Sequence, residues 1–488
     1  MKLVVAGGGV AGLAAALAVA RAGHHAVVLE RDLVHPDGSP HRAFDVERRG
    51  IPHYLQPHAF LPRGRRLLLD WAPDILDTLL DAGADPQDVA LKLGGPRQPG
   101  DEDLVYLWVR RPIIEWALRR AAAAEPAIEI RAGVRVTGLL TSEDGAPRAD
   151  GVAVDDGHLV RGDLVVDALG RYRCPAGWPR ATGEPSDSGA IYYCRYFELA
   201  EGVEHLDAPI LNPRGDIGYM GFNTFRGDSR TFAVILLAPA ADHALRVLRH
   251  EKAWRAACAA ITPLDVMTSA DYAHPITDVM PMGGLMNVER TGDPLVSGIV
   301  AAGDAFCHTD PAFAYGLSFA LAHAQALADA TAEATDVDAI VERYRTDAGP
   351  EARERHALAC ATDAARSLRW SGEPVEIGRR DGCYPLFSFV GAWPLRHTTT
   401  RSCGAPFAAS AYSTARPSST GTMRCTTESR RSSAGLRRVR RRRQARPVRS
   451  CSLAWRRLRR AGELLPRASA TVRTTVPTGV SPDAQQTL

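Results

Sequence analysis

Leu3-Val4-Val5-Ala6-Gly7-Gly8-Gly9-Val10-Ala11-Gly12 stands near the start of the chain, and Ala26-Val27-Val28-Leu29-Glu30-Arg31 follows one helix-length later. Leu3 to Ala6 reads as a short buried strand. Val10 to Ala22, rich in Ala and Leu, reads as a helix, and Ala26 to Leu29 as a second, parallel strand. A strand–helix–strand unit of about 30 residues is the size of a βαβ crossover. Gly7 to Gly12 forms a GxGxxG after a strand and at the mouth of a helix, with an acid 18 residues beyond Gly12. In that setting Gly7 permits the tight turn, Gly9 lets the backbone approach a pyrophosphate, and Gly12 allows close packing of helix on strand. The helix N-terminus offers unpaired N–H groups and partial positive charge to phosphates. Glu30 is placed to accept hydrogen bonds from an adenosine ribose. The unit predicts a dinucleotide-binding domain and leaves NAD and FAD both open.

Outward from this unit, 488 residues are too many for one core, so two domains plus extras are expected. Nine cysteines with no CxxC pair argue against a disulfide framework and a zinc ribbon, and point to a reducing, cytoplasmic setting. The formal charge of +3 divides into +17 for residues 396–488 (20 Arg, no Lys, three acids) and therefore −14 for residues 1–395. An acidic body speaks against a nucleic-acid surface. Glycines at 7, 8, 9 and 12 interrupt the first apolar run, unlike a signal peptide. No segment approaches 18 uninterrupted apolar residues, so no membrane span is expected.

Further along, Leu67 to Leu80 has helical apolar spacing, and Pro112 opens a helix to about Ala124. Ile128 to Leu140 and Gly151 to Val166 alternate as strand pairs, the second with a turn at Asp155–Gly157. Residues 190–237 are β-rich and aromatic, with Tyr192, Tyr196, Phe222 and Phe225 among them, and predict an inserted sheet domain. Leu295 to Ala302 returns to a buried strand. Helices are expected from about Gly316 to Ala334 and from Val337 to Leu368.

Five segments between residues 1 and 390 resemble the FAD-dependent monooxygenases of the para-hydroxybenzoate hydroxylase class, particularly bacterial secondary-metabolism members such as the polyether epoxidases. They are the glycine motif with Glu30–Arg31; Arg48-Arg49-Gly50-Ile51-Pro52 leading to His58; Arg111-Pro112-Ile113-Ile114-Glu115-Trp116; Asp163 to Arg171; and Ala302-Gly303-Asp304 with Asp310-Pro311 and Tyr315-Gly316. The fourth departs from the family's Asp–Gly pair, having Leu169–Gly170 with the acid earlier, at Asp167. Asp167 is equally consistent with a strand-end acid on a solvated turn.

The resemblance implies an α/β fold: a discontinuous Rossmann-like FAD-binding domain (1–55, 105–180, 285–335) with an inserted, mainly antiparallel β-sheet substrate domain (56–104, 181–284) and a helical segment at 336–395. It implies FAD held by Gly7, Gly9, Gly12, Glu30, Arg31, Arg111, Val136, Gly303, Asp304, Pro311 and Gly316, with the helix after Gly316 aimed at the ring's pyrimidine edge. It implies NADPH or NADH as reductant, oxygen as co-substrate, and an apolar or aromatic small molecule hydroxylated or epoxidised through a flavin hydroperoxide. No catalytic base is named, and His58 reads as a loop-packing residue. No metal site is indicated: His53 and His58 lack an HExxH or facial carboxylate set. A flavin-dependent halogenase or a prenyl-chain reductase shares the fold. The eight tryptophans include no Trp-x-Trp pair of the kind halogenases carry.

After Trp393 the texture changes: Ser, Thr, Arg, Ala and Pro dominate, and Arg437 to Arg443 holds six arginines in seven positions. The composition is that of disorder. Two readings stand open, a basic tail for anionic partners and translation out of frame, the latter making an inactive flavoprotein possible. Codons chosen from a GC-rich repertoire allow a shifted frame to read a plausible helix across 404–433. Resequencing the DNA that codes for residues 385–410 tests this: a single-base insertion or deletion supports the shifted frame, and an intact frame supports a true basic tail.

Overall fold

The computed structural model describes residues 1–373 apart from 35–37, 94–95, 98, 143–146, 172–173, 182, 207–211 and 294. The expected tail at 396–488, and the helical segment beyond 373, lie outside the described residues.

Five short strands make an all-parallel sheet in the order Ile299–Ala301, Leu164–Asp167, Lys2–Ala6, His25–Glu30, Ile128–Ala132. Leu3 to Ala6 and Leu164 to Val166 are buried throughout, as strands covered on both faces must be. Against the sheet lies the helix Val10–Arg21, whose residues from Gly12 to Ala20 are all buried. Its second neighbour is the helix Tyr315–Glu333, and the two share one core. Alanine on most of the buried face lets three layers approach closely. Gly12 is tighter still: a Cβ there would stand 1.9 Å from the Gly7 carbonyl oxygen.

The aromatic segment forms a separate antiparallel sheet in the order Arg214–Asp216, Gly221–Arg226, Thr231–Pro239, Ala190–Leu199, Ala273–Pro275. Register places Tyr192, Cys194 and Tyr196 opposite Leu237, Ile235 and Ala233 on one face. Those six pack with Leu285 and Trp370. On the other face Phe197 stacks on Phe232 and Trp254. Both faces are therefore covered, which explains the density of large aromatic side chains.

Three expectations are corrected. The single helix expected over 67–80 is two, Pro62–Trp71 and Pro73–Asp81, because Ala72 precedes a proline that disfavours helical geometry at that position. The strands expected to pair within 128–140 separate: Ile128–Ala132 edges the parallel sheet, whereas Val136–Thr141 pairs with Ala149–Val154. Likewise Ala149–Val154 pairs with Leu159–Arg161 around the expected turn, but Leu164–Asp167 joins the parallel sheet. Alternation marks a strand without choosing its partner.

The helix Val337–Ser371 runs for 35 residues and brings a buried charge cluster onto the rest of the chain. Arg366 reaches Asp310 and Asp363, both at 2.8 Å, and donates to the Ser188 carbonyl at 2.7 Å. Asn287 donates to Asp363 at 2.8 Å, and the Tyr192 hydroxyl donates to Asp310. Burial, followed by the neighbouring Asp310 carboxylate, raises the pKa of Asp363. Arg366→Ala would leave two adjacent buried carboxylates without their cation. The expected cost is about 3–5 kcal/mol, read as a lower urea midpoint with an unchanged slope.

Candidate functional site

A cavity of about 710 Å³ opens along the carboxyl ends of the parallel strands. Gly7, Gly9, Glu30, Arg31, Arg111, Val136, Gly303, Asp304, Pro311 and Gly316 all line it. Gly12 alone of the expected residues does not, and its packing against Gly7 is the role its place in the motif predicts.

The glycine loop is shaped for a close backbone approach. Gly7 has φ +109°, and a Cβ there would meet the Ala168 carbonyl oxygen at 2.4 Å. Gly9 starts the first helix with no side-chain cap, leaving the helix N-terminus to the cavity. Beneath the loop lies an ion lattice. Arg48, 1% exposed at its side chain, contacts Glu30 at 3.0 Å, Asp32 at 3.2 Å and Glu115 at 2.9 Å. Glu115 also pairs with Arg111 at 3.1 Å and Arg119 at 3.5 Å, and Arg119 donates to the Gly8 carbonyl at 2.5 Å. Burial opposes charge on Arg48, yet Glu115 and Glu30 outweigh it and raise its pKa. Burial likewise opposes ionisation of Glu30, but Arg48 holds its pKa low.

Glu30 is already engaged: Oε2 accepts from the Gly8 N–H and Arg48, and Oε1 from the Asp32 N–H. Two guanidinium nitrogens on the wall, Arg31 Nη2 and Arg111 Nη1, are buried without a hydrogen-bond partner. Arg111 also lies over the Tyr54 ring at 5.1 Å.

At the other end, Asp304 follows Gly303, whose φ of +60° and close approach to Ala11 (2.6 Å for a Cβ) keep the chain against the first helix. Arg171 binds Asp304 at 3.0 Å. Burial would raise the Asp304 pKa, but Arg171, His53 and His308 hold it well below the usual carboxylate range. Burial and then Arg111 push His58 down to about 3, so it is neutral. Its Nδ1 lies 2.7 Å from the Gln56 carbonyl oxygen and must carry the proton, which leaves Nε2 as an acceptor. His58 lines the cavity while bonded within its own loop. Ala314 adopts a left-handed conformation at φ +55° and turns the chain into the Tyr315 helix, which has no side-chain cap. Gly316 opens that helix on the cavity wall.

Asp167 is not on a solvated turn. It is 1% exposed and accepts from Trp178 Nε1 at 2.9 Å and from Arg180 at 2.6 and 2.8 Å. It therefore anchors the 178–180 segment. Sequence reasoning also missed His323, whose Nδ1 accepts the Gly303 N–H at 3.0 Å. Its place on the buried face of the Tyr315 helix was the available signal. Among the described residues no group of three or more His, Cys, Asp or Glu is arranged to hold a metal ion, and no helix is long and apolar enough to cross a membrane.

No protein-family model matches the chain, and neither does any curated protein. Solved structures do. HpxO of Klebsiella pneumoniae, complexed with FAD and uric acid, aligns at TM-score 0.56 and 17% identity over 76% of this chain and 91% of its own. The probable FAD-dependent monooxygenase PqsL of Pseudomonas aeruginosa aligns at 0.55 and 18%, over 76% of this chain and 98% of its own. The flavin-dependent brominase Bmp2 aligns at 0.55 and 17%, over 76% and 89%. The chain has the fold of FAD-dependent monooxygenases.

Burial, then Arg63, push the His323 pKa down to about 3. The unfolded chain takes up this proton near pH 6.5 and the folded chain does not. Folding stability is therefore lost as pH falls from 6.5 toward 3, by at most about 1.4 kcal/mol per pH unit. His323→Gln keeps an acceptor for Gly303 without titrating. Its denaturant midpoint should fall less steeply between pH 6.5 and 4 than that of the parent protein.

Proposed function

We propose that the protein is an FAD-dependent monooxygenase that uses NADPH or NADH and oxygen to hydroxylate or epoxidise a small molecule. The observation that carries this reading is the convergence of three separate segments on one cavity: the Gly7–Gly12 loop, the Gly303–Asp304 turn and the N-terminus of the Tyr315 helix. Their spread from Glu30 to Gly316 suits an extended dinucleotide with a tricyclic end.

The residues present fit FAD. Gly9 leaves open space where a Cβ would meet only Ile51, at 3.6 Å, so phosphates can reach the first helix N-terminus. The partnerless nitrogens of Arg31 and Arg111 give buried donors for anionic or carbonyl oxygens. Glu30 and Asp304 would hold the two sugar portions, Val136 would flank the adenosine end, and Pro311 and Gly316 would flank the ring. Residues 1–55, 105–180 and 285–335 form the cofactor domain in this reading, and 56–104 with 181–284 cover the substrate.

FAD, when bound, supplies the two-electron redox chemistry and the activation of oxygen. The chain contributes position and field. The Tyr315 helix N-terminus, uncapped on the cavity wall, would stabilise negative charge on the group bound there. Neutral His53 and His58 add acceptors without adding positive charge, since burial lowers the pKa of both. The antiparallel sheet excludes water from the far side. Overall, substrate, O2, NAD(P)H and a proton give oxygenated product, NAD(P)+ and water.

The purified protein should show the absorbance of bound oxidised flavin and consume one O2 per NAD(P)H in the presence of substrate, without added halide. Asp304→Ala should lower flavin occupancy by at least about tenfold, as loss of a charge-assisted contact implies. A folded protein that stays colourless after incubation with FAD overturns the reading, and a halide requirement turns it toward a halogenase.

A further inference from the structure

On the other side of the turn that carries Asp304 lies a smaller cavity, of about 40 Å³. Ala302, Gly303 and Asp304 face the large cavity, whereas Ala301, Ala305 and Phe306 face the small one, and no described residue lines both. Its floor is Ile299, Phe306 and Tyr344, all buried, and its rim includes the exposed Gly292. A single water needs about 10–15 Å³, so the cavity has room for a group of a few heavy atoms.

Three arginines from separate segments line it: Arg180 just after Trp178, Arg290 after the strand Met286–Glu289, and Arg345 on the helix Val337–Ser371. Two of them are neutralised. Arg180 donates from Nε and Nη2 to Asp167, at 2.6 and 2.8 Å. Arg345 donates from Nη2 to Asp293 at 2.7 Å and from Nη1 to Glu342 at 2.9 Å. Asp167 has no capacity left, because its oxygens also accept from Trp178 Nε1 and the Leu169 N–H. Arg290 is the cation left over. Among the described residues it has no carboxylate within ion-pair distance, and its one side-chain hydrogen bond, from Nη1 to the Ala305 carbonyl, is stretched to 3.5 Å. Burial and then the Arg180 guanidinium push its pKa down from the usual arginine value. The other two arginines also keep donors in reserve: Arg345 Nε is buried with no partner, and Arg180 Nη1 makes no hydrogen bond among the described residues. Half-buried cations side by side, with N–H groups unmet, are unfavourable unless an anion completes them.

We infer that this pocket binds a tetrahedral oxyanion, a phosphate or sulfate group, between Arg290, Arg180 Nη1 and Arg345 Nε. A planar carboxylate is matched by the fork of one arginine, whereas donors arriving from three segments suit oxygens that point in three directions. Each contact is a charge-assisted hydrogen bond. The ligand is the free ion or a phosphate ester whose remainder lies outside the rim, since the cavity holds the headgroup and little more. The site is separate from the large cavity, and binding there does not rest on the monooxygenase reading. A bound anion ties the 178–180 segment, the chain at Arg290 and the long helix together beside the turn that holds Asp304.

Calorimetric titration of the full-length protein with inorganic phosphate at constant ionic strength, beside acetate as the planar control, tests this. Phosphate should bind at a saturable site at least about tenfold more tightly than acetate. Arg290→Met should weaken phosphate about ten- to a hundredfold, the range of a charge-assisted hydrogen bond, and Arg290→Lys should recover part of the loss. Gly292→Val keeps every charge but narrows the rim, where a Cβ meets only Ala181, at 3.7 Å. It should weaken phosphate as well, and it decides the matter if Arg290→Met does not fold. The arginines of 396–488 are the same in every variant, so the differences report the pocket alone. NADP+ beside NAD+, which differ by one phosphate, identifies the source of the group. A preference for NADP+ that Arg290→Met removes marks a nucleotide phosphate ester, and any other pattern leaves the free ion as the ligand. No saturable phosphate binding at millimolar concentration, equal affinity for acetate, or phosphate binding unchanged in Arg290→Met and Gly292→Val would each overturn the inference.

Discussion

Arg48 sits almost fully buried among Glu30, Asp32 and Glu115, and four pieces of chain are held in register by that contact. Glu30 ends the second strand, Arg48 belongs to the following loop, and Glu115 lies on the helix Arg111–Ala124. Arg119, from the same helix, closes the circuit on the Gly8 carbonyl inside the glycine loop. Three cations and three acids share a space from which water is excluded, so none tolerates losing its partner. An apolar core would bind the same elements without directing them. The lattice sets their angles, and with them the orientation of the loop and of Arg111 at the cavity wall.

A second buried lattice does the corresponding work on the opposite wall. Asp310 and Arg366 join the turn before the Tyr315 helix to the long C-terminal helix, and Tyr192 joins both to the antiparallel sheet. Pro311, which follows Asp310, lines the large cavity. Its position therefore depends on three segments widely separated in sequence. Between the two lattices lies a cavity whose histidines are held neutral by burial and whose single best-placed acid, Asp304, is held ionised by Arg171.

Much of this was legible in the linear chain. The glycine spacing after Leu3–Ala6, the acid at Glu30, Arg111 ahead of Pro112 and the Gly303–Asp304 turn are local patterns, because each works through backbone conformation or a helix terminus next to it. All but Gly12 of the expected cofactor residues meet in one cavity, and Gly12 packs as its place in the motif requires. The binding partners of charged side chains were not legible. Asp167 read equally as the acid of a second fingerprint and as a solvated strand-end acid, yet it is buried against Trp178 and Arg180, and His323 carries no local signature of its bond to Gly303.

What the sequence alone determined is the class of fold and the segments that meet along the large cavity, since hydrophobic periodicity and glycine placement act over a few residues. Tertiary structure alone decided which strand of 128–167 pairs with which, which carboxylate each buried arginine neutralises, and that Arg180, Arg290 and Arg345 share one small chamber. The physical reason is range. Backbone geometry is dictated by near neighbours, whereas a buried charge takes whichever partner the fold carries to it, and no spacing along the chain encodes that meeting.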